Sequence, residues 1–119
     1  MNSRFWNSIF SVVVFLFLSF SYDVKAKPCT VLLHGLARSS FSMSFLAEDI
    51  KQIGHEVANI DYASTEKTIP ELANEVVSKG LKKCREKGAQ EINFVAHSLG
   101  GILVRYYYEH NPHKRLKRV

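Results

Sequence analysis

Metal centres and disulfide scaffolds are the first architectures that the composition removes. Only two cysteines, Cys29 and Cys84, and five histidines occur in 119 residues, and none falls at the paired spacings that metal ligands require. No metal and no other cofactor is therefore expected. Three prolines, no low-complexity tract, no long linker and no internal repeat leave no room for solenoid, fibrous or extended unstructured segments. Charge of one sign does not dominate either. The sequence carries 16 basic and 11 acidic residues, and Lys114, Arg115, Lys117 and Arg118 hold almost all of the excess. Four charges after Asn111-Pro112 read as a solvated loop, so no nucleic-acid partner is expected.

Long hydrophobic runs are also scarce. The one present, Ile9 to Phe20, follows Arg4 and precedes the small-x-small site Val24-Lys25-Ala26, as in an export signal. It would span only about 18 Å as a helix, against roughly 30 Å of membrane hydrocarbon. Residues 1–26 are thus expected to be a cleaved signal peptide of a protein exported to a bacterial periplasm or the outside. The alternative is an uncleaved membrane anchor; after cleavage no stable span remains. Residues 27–119, about 90 in all, make one small domain.

That domain alternates strand and helix three times. Thr30 to Leu33, Glu56 to Ile60 and Glu91 to Ala96 read as short apolar strands. Between them, Phe41, Phe45, Leu46, Ile50 and Ile53 recur at helical spacing up to Gly54. Ile69, Leu72, Ala73, Val76, Val77, Leu81 and Cys84 form a second stripe, opened by the capping box Thr68/Glu71 with Pro70 and closed by Gly88. Leu99, Ile102, Leu103 and Tyr106 form a third, stopped by Asn111-Pro112. Alternation of this kind implies parallel strands with right-handed crossovers, hence an α/β sheet with flanking helices. All strands then end at one edge, where sites in open α/β sheets are built. Cys29 and Cys84 fall at the opposite edge. A disulfide there and two reduced core residues stand equally open.

Two loops at the common edge carry the chemistry: His34-Gly35-Leu36 and His97-Ser98-Leu99. A serine oxygen becomes a useful nucleophile when it is exposed, can lose its proton and faces donors for the oxyanion formed on attack. A tight strand-Ser-helix turn exposes it, provided the residues two before and two after are small. Here they are Ala96 and Gly100, with Gly101 adding room. The backbone N–H groups of Leu99, at a helix N-terminus, and of Leu36 can then point at one oxyanion.

The stretches "TVLLHGLARSS", "VANIDYAST" and "NFVAHSLGGILVRYY" resemble the α/β-hydrolase superfamily, in particular its bacterial lipase and esterase branch with Ala-His-Ser-x-Gly at the nucleophile turn. The resemblance implies the N-terminal part of an α/β-hydrolase fold: three parallel strands, the His34-Gly35 strand between the other two. It implies Ser98 as nucleophile, Leu36 and Leu99 as oxyanion-hole amides, and His34, Gly35, His97 and Gly100 as residues supporting the two loops. The substrate would be a small-molecule or lipid ester.

The superfamily order is serine, acid, histidine. After Ser98 the sequence has no aspartate, one glutamate, Glu109, and the histidines His110 and His113. A helix starting at Ser98 carries His110 on the order of 18 Å away. His55 precedes its strand, at the wrong edge. Asp61 ends a strand at the right edge but reads as a turn or helix-capping residue. The expectation is a serine hydrolase of lipase or esterase type, shortened so that acid and base are missing. The alternatives are a non-catalytic remnant, a fragment completed by a partner, and an acyltransferase. An exposed outer edge on the third strand would favour self-association.

Overall fold

The computed structural model describes residues 25–112 and residue 114. Nearly all of the expected export signal, together with His113 and most of the basic run after it, lies outside those residues. Among the described residues no helix is long and apolar enough to cross a membrane.

Three strands, β1 (Cys29–Leu33), β2 (Glu56–Ile60) and β3 (Ile92–Ala96), form a parallel sheet in the order β2-β1-β3. Register is continuous: Cys29 stands beside Glu56 and Ile92, and Leu33 beside Ile60 and Ala96. The C-terminal ends of all three strands therefore share one edge. A 3₁₀ turn, Ser40–Met43, leads into α1 (Ser44–Gln52). A second helix, α2, runs over residues 69–86 with a π-helical turn at Ala73–Val77. The last, α3, is Leu99–Glu109.

The central position of β1 follows from its sequence. Cys-Thr-Val-Leu-Leu has no charged residue to keep in water, and all five side chains are buried because both faces are covered. On one face Cys29, Val31 and Leu33 pack with Ala58 and Ile60 against α2 and α3, through Leu72, Val76, Val77, Leu81, Leu103, Val104 and Tyr107. On the other, Leu32 and Val57 pack against Met43, Ala47 and Ile50. This second cluster includes no residue of β3. Val95, level with Leu32, stays 37% exposed as a result.

Two helical faces differ from the expected ones. The apolar series Phe41, Phe45, Leu46, Ile50, Ile53 is not the buried stripe of α1: Phe41 is 79% and Phe45 85% exposed, and Ile53 is also exposed. Of that series Ile50 faces the sheet as expected, and its companions there are Met43 and Ala47. In α3 the buried set is Gly100, Leu103, Val104 and Tyr107, while Ile102 faces water. Both helices are apolar over more than one stripe, so periodicity leaves their rotation open, and contact with Leu32 on one side and Leu33 on the other decides it. The α2 stripe matches expectation from Leu72 to Cys84; Ile69 is exposed. Its capping box is complete, with Thr68 Oγ1 accepting from the Glu71 N–H and Glu71 accepting from the Thr68 N–H.

The two cysteines are joined. Cys29 and Cys84 form a disulfide with Cα atoms 5.6 Å apart, binding the start of β1 to the last turn of α2 across a separation of 55 residues. Closing a loop of that length in the unfolded chain is worth about 4 kcal/mol. An Ellman assay on denatured, unreduced protein should find no free thiol. The Cys29→Ala/Cys84→Ala double variant should lose roughly 4 kcal/mol in urea unfolding. Two titratable thiols per chain would remove the bridge.

Candidate active site

β1 and β3 deliver the two chemistry-bearing loops to the same edge. The ladder between them continues one step past the strands, with the His97 N–H donating to the Leu33 carbonyl at 3.0 Å. Ser98 follows at φ 52°, ψ −116°. A residue with a Cβ pays of order 1–3 kcal/mol for so sparsely populated a conformation, so the turn must be held from outside. What holds it is the approach of α3 to β1. A Cβ built on Gly100 would lie 2.7 Å from the Leu33 carbonyl oxygen and 2.8 Å from the Leu33 Cβ, closer than real contacts permit. Gly101, one residue on, has nothing within 4 Å of the same construction. Ser98 is exposed, and Leu99 is the first residue of α3. The Leu99 N–H therefore belongs to the group of helix N-terminal donors without an intrahelical acceptor, at the positive end of the helix dipole.

The second loop is built around a buried imidazole. His34 is fully buried; its Nδ1–H donates to the Gly35 carbonyl at 2.9 Å, and its Nε2 accepts the Tyr62 N–H at 3.3 Å. Those two partners fix the tautomer with the proton on Nδ1. The Gly35 carbonyl also accepts the Arg38 N–H at 3.2 Å, closing a turn in which Ala37 has φ 54°. In a trans peptide the N–H points opposite to the carbonyl. With the Gly35 oxygen held from two sides, the Leu36 N–H is directed away from both. Among the described residues neither the Leu36 nor the Leu99 amide is engaged in a hydrogen bond. The His97 ring lies over Gly35: a Cβ there would come within 2.8 Å of the His97 Nδ1.

Among the described residues, other candidates stand apart. His55 Nδ1 pairs with Thr30 Oγ1 at 3.0 Å, at the edge where the strands begin. His110 caps the far end of α3, stacked on Tyr106 and bonded through Nδ1 to the Tyr106 carbonyl. Asp61 Oδ1 accepts the Ser40 N–H at 2.9 Å, capping the 3₁₀ turn, and approaches His34 Nε2 at 3.7 Å. No described residue forms a hydrogen bond with the Ser98 hydroxyl.

Two residues unnoticed in the sequence emerge here. Tyr62 stacks on His34 with ring centroids 4.0 Å apart and donates its hydroxyl to the His34 carbonyl. Ser64, buried, accepts the Ala37 N–H at 2.9 Å. Both sit just past β2, at the edge where the three strands end. A turn at the end of a parallel strand, in "DYAST", was the available signal.

Residues 25–117 match the protein family described as "Putative serine esterase (DUF676)". The chain belongs to this family. Among solved structures, it is similar to an extracellular alpha/beta-hydrolase from a Paenibacillus species, with TM-score 0.50 and 20% identity. That protein is described as sharing structural and functional homology with tobacco salicylic acid binding protein 2. The similarity covers 71% of this chain and 36% of the Paenibacillus chain, and at that identity it shows the α/β-hydrolase fold alone. No curated protein matches the sequence. The three parallel strands and flanking helices are those of the N-terminal part of that fold.

In this esterase family member the two glycines after Ser98 should respond oppositely to one methyl group. Gly100→Ala is expected to cost about 1–3 kcal/mol in urea unfolding, as overpacking against β1. Gly101→Ala should be neutral or add up to about 1 kcal/mol, from helix propensity. Equal effects would mean that α3 does not approach β1 this closely.

The alkaline limb of the stability curve gives a second check. Burial pushes the Tyr62 hydroxyl from its ordinary value near 10 up to about 12. The folded state holds this proton more tightly, so the contribution is complete below about pH 10 and is lost as pH rises toward 12. Tyr62→Phe should flatten the fall in melting temperature over that interval. An unchanged alkaline slope would show that Tyr62 is not the group responsible.

Proposed function

We propose that this protein is an ester hydrolase in which Ser98 is the acyl-accepting nucleophile and the amides of Leu36 and Leu99 form the oxyanion hole. The observation that carries the reading is the conformation of Ser98, a strained serine exposed between β3 and the N-terminus of α3, beside a loop whose Leu36 amide has no partner among the described residues. Family membership supports it.

In the reaction, Ser98 Oγ attacks the carbonyl carbon of a small-molecule or lipid ester, and its proton passes to a general base. The carbonyl oxygen takes up negative charge where Leu36 and Leu99 donate. Collapse expels the alcohol, which leaves with the proton, and water then releases the acid by the same route. Each donor of such a hole is worth roughly 10²–10³ in rate. His34, Gly35, His97 and Gly100 act through the backbone they hold. Among the described residues His34, His55 and His110 are bonded to other partners, and a base brought to Ser98 from outside the described residues would complete the reaction.

A partner-completed reading has its own support in β3. Among the described residues the strand pairs with β1 alone, and Val95 is open to water. Such an edge can accept another strand, including one from a second copy. The signal-like residues 1–26 and the extracellular relative support export.

A fluorophosphonate probe tests the nucleophile directly, because a phosphonyl adduct persists without a deacylation step. Mass spectrometry of the full chain should place the adduct on Ser98, and Ser98→Ala should abolish it. No adduct at Ser98, with no hydrolysis of p-nitrophenyl butyrate above the Ser98→Ala level, would sink the reading.

A further inference from the structure

The loop after β2 grips the loop after β1 at points on both sides of Leu36. Tyr62 acts before it: its N–H bonds to His34 Nε2, its hydroxyl to the His34 carbonyl, and its ring stacks on the imidazole at an interplanar angle of 16°. Ser64 acts after it, accepting the Ala37 N–H at 2.9 Å. Asp61 holds the distal end of the loop through the Ser40 N–H.

These contacts bear on one peptide plane. The Leu36 N–H shares a plane with the Gly35 carbonyl, and that carbonyl is oriented by the His34 Nδ1–H. His34 donates from Nδ1 because Nε2 is used as an acceptor for Tyr62. On the other side, Ala37 occupies a left-handed conformation that a non-glycine residue adopts only when its neighbours impose it. The buried Ser64 hydroxyl is the partner that its N–H meets there. A donor of this kind contributes only when it is aimed at the position of the oxyanion before the reaction starts.

We propose that Tyr62 and Ser64 are positioning residues for the Leu36 amide: the Tyr62 hydroxyl holds the His34 carbonyl before it and the Ser64 hydroxyl holds the Ala37 turn after it, and so they aim one of the two oxyanion donors. Neither touches a reacting atom. The proposal rests on the assignment of Ser98 and Leu36 made above.

The test follows two readouts in the full chain. The first is fluorophosphonate labelling of Ser98, with the maximal labelling rate separated from the half-saturating probe concentration. Tyr62→Phe and Ser64→Ala should each lower the maximal rate about tenfold, a fraction of what a whole donor contributes, and leave half-saturation unchanged. Ser64→Thr, which keeps the hydroxyl, should restore it. The second is hydrogen–deuterium exchange. Both variants should accelerate exchange in residues 35–40 and leave β1 and β3 as protected as in the parent. An unchanged maximal rate, equal losses in Ser64→Thr and Ser64→Ala, or exchange that rises through the whole sheet would overturn the proposal. Absence of Ser98 labelling in the parent chain would defeat the esterase reading instead. Exchange in residues 35–40 would then decide the positioning role by itself.

Discussion

The contact on which the site depends is between α3 and the end of β1, where Gly100 sits against the Leu33 carbonyl. It brings the helix N-terminus to within a side chain's width of the central strand. Ser98 is then left too little backbone to cross from β3 to α3 in an ordinary conformation. The strain at Ser98 and the position of the Leu99 amide are two results of one close approach. Leu33 also accepts the His97 N–H through the same carbonyl, so β1, the turn and the helix meet at one oxygen.

The rest of the edge is organised around β1 in the same way. Because β1 lies between its neighbours, the loop that follows it is flanked by the loops that follow β2 and β3. From the β3 side comes the His97 ring over Gly35; from the β2 side come Asp61, Tyr62 and Ser64. A loop held from two sides by hydrogen bonds and a stacked ring keeps its shape without a large apolar core of its own. This suits the oxyanion-hole role proposed for the Leu36 amide, in which a donor has to be oriented before it has a partner.

Much of this is written locally in the sequence. The three strands, the Thr68/Glu71 capping box and the small residues around Ser98 are short-range signals and appear within a residue or so of their observed places. The rotation of α1 and α3 is not local. Phe41 and Phe45 fit a helical stripe as well as Met43 and Ala47 do, and only the surface presented by Leu32 and Val57 selects between them. The pairing of Cys29 with Cys84 was open for a similar reason: topology places both at one edge without fixing their separation. Tyr62 and Ser64 were legible only as turn residues, because each acts on a residue about 28 positions away, in the loop after the neighbouring strand. Polar residues in a turn look alike until the loop they serve is beside them.

The covalent closure between Cys29 and Cys84 lies at the end of the sheet remote from Ser98. Where the strands begin, separation of β1 from α2 requires a bond to break; where they finish, the loops part by losing hydrogen bonds one at a time. The sheet is thus tied by a covalent bond where its strands begin and by hydrogen bonds between loops where they finish.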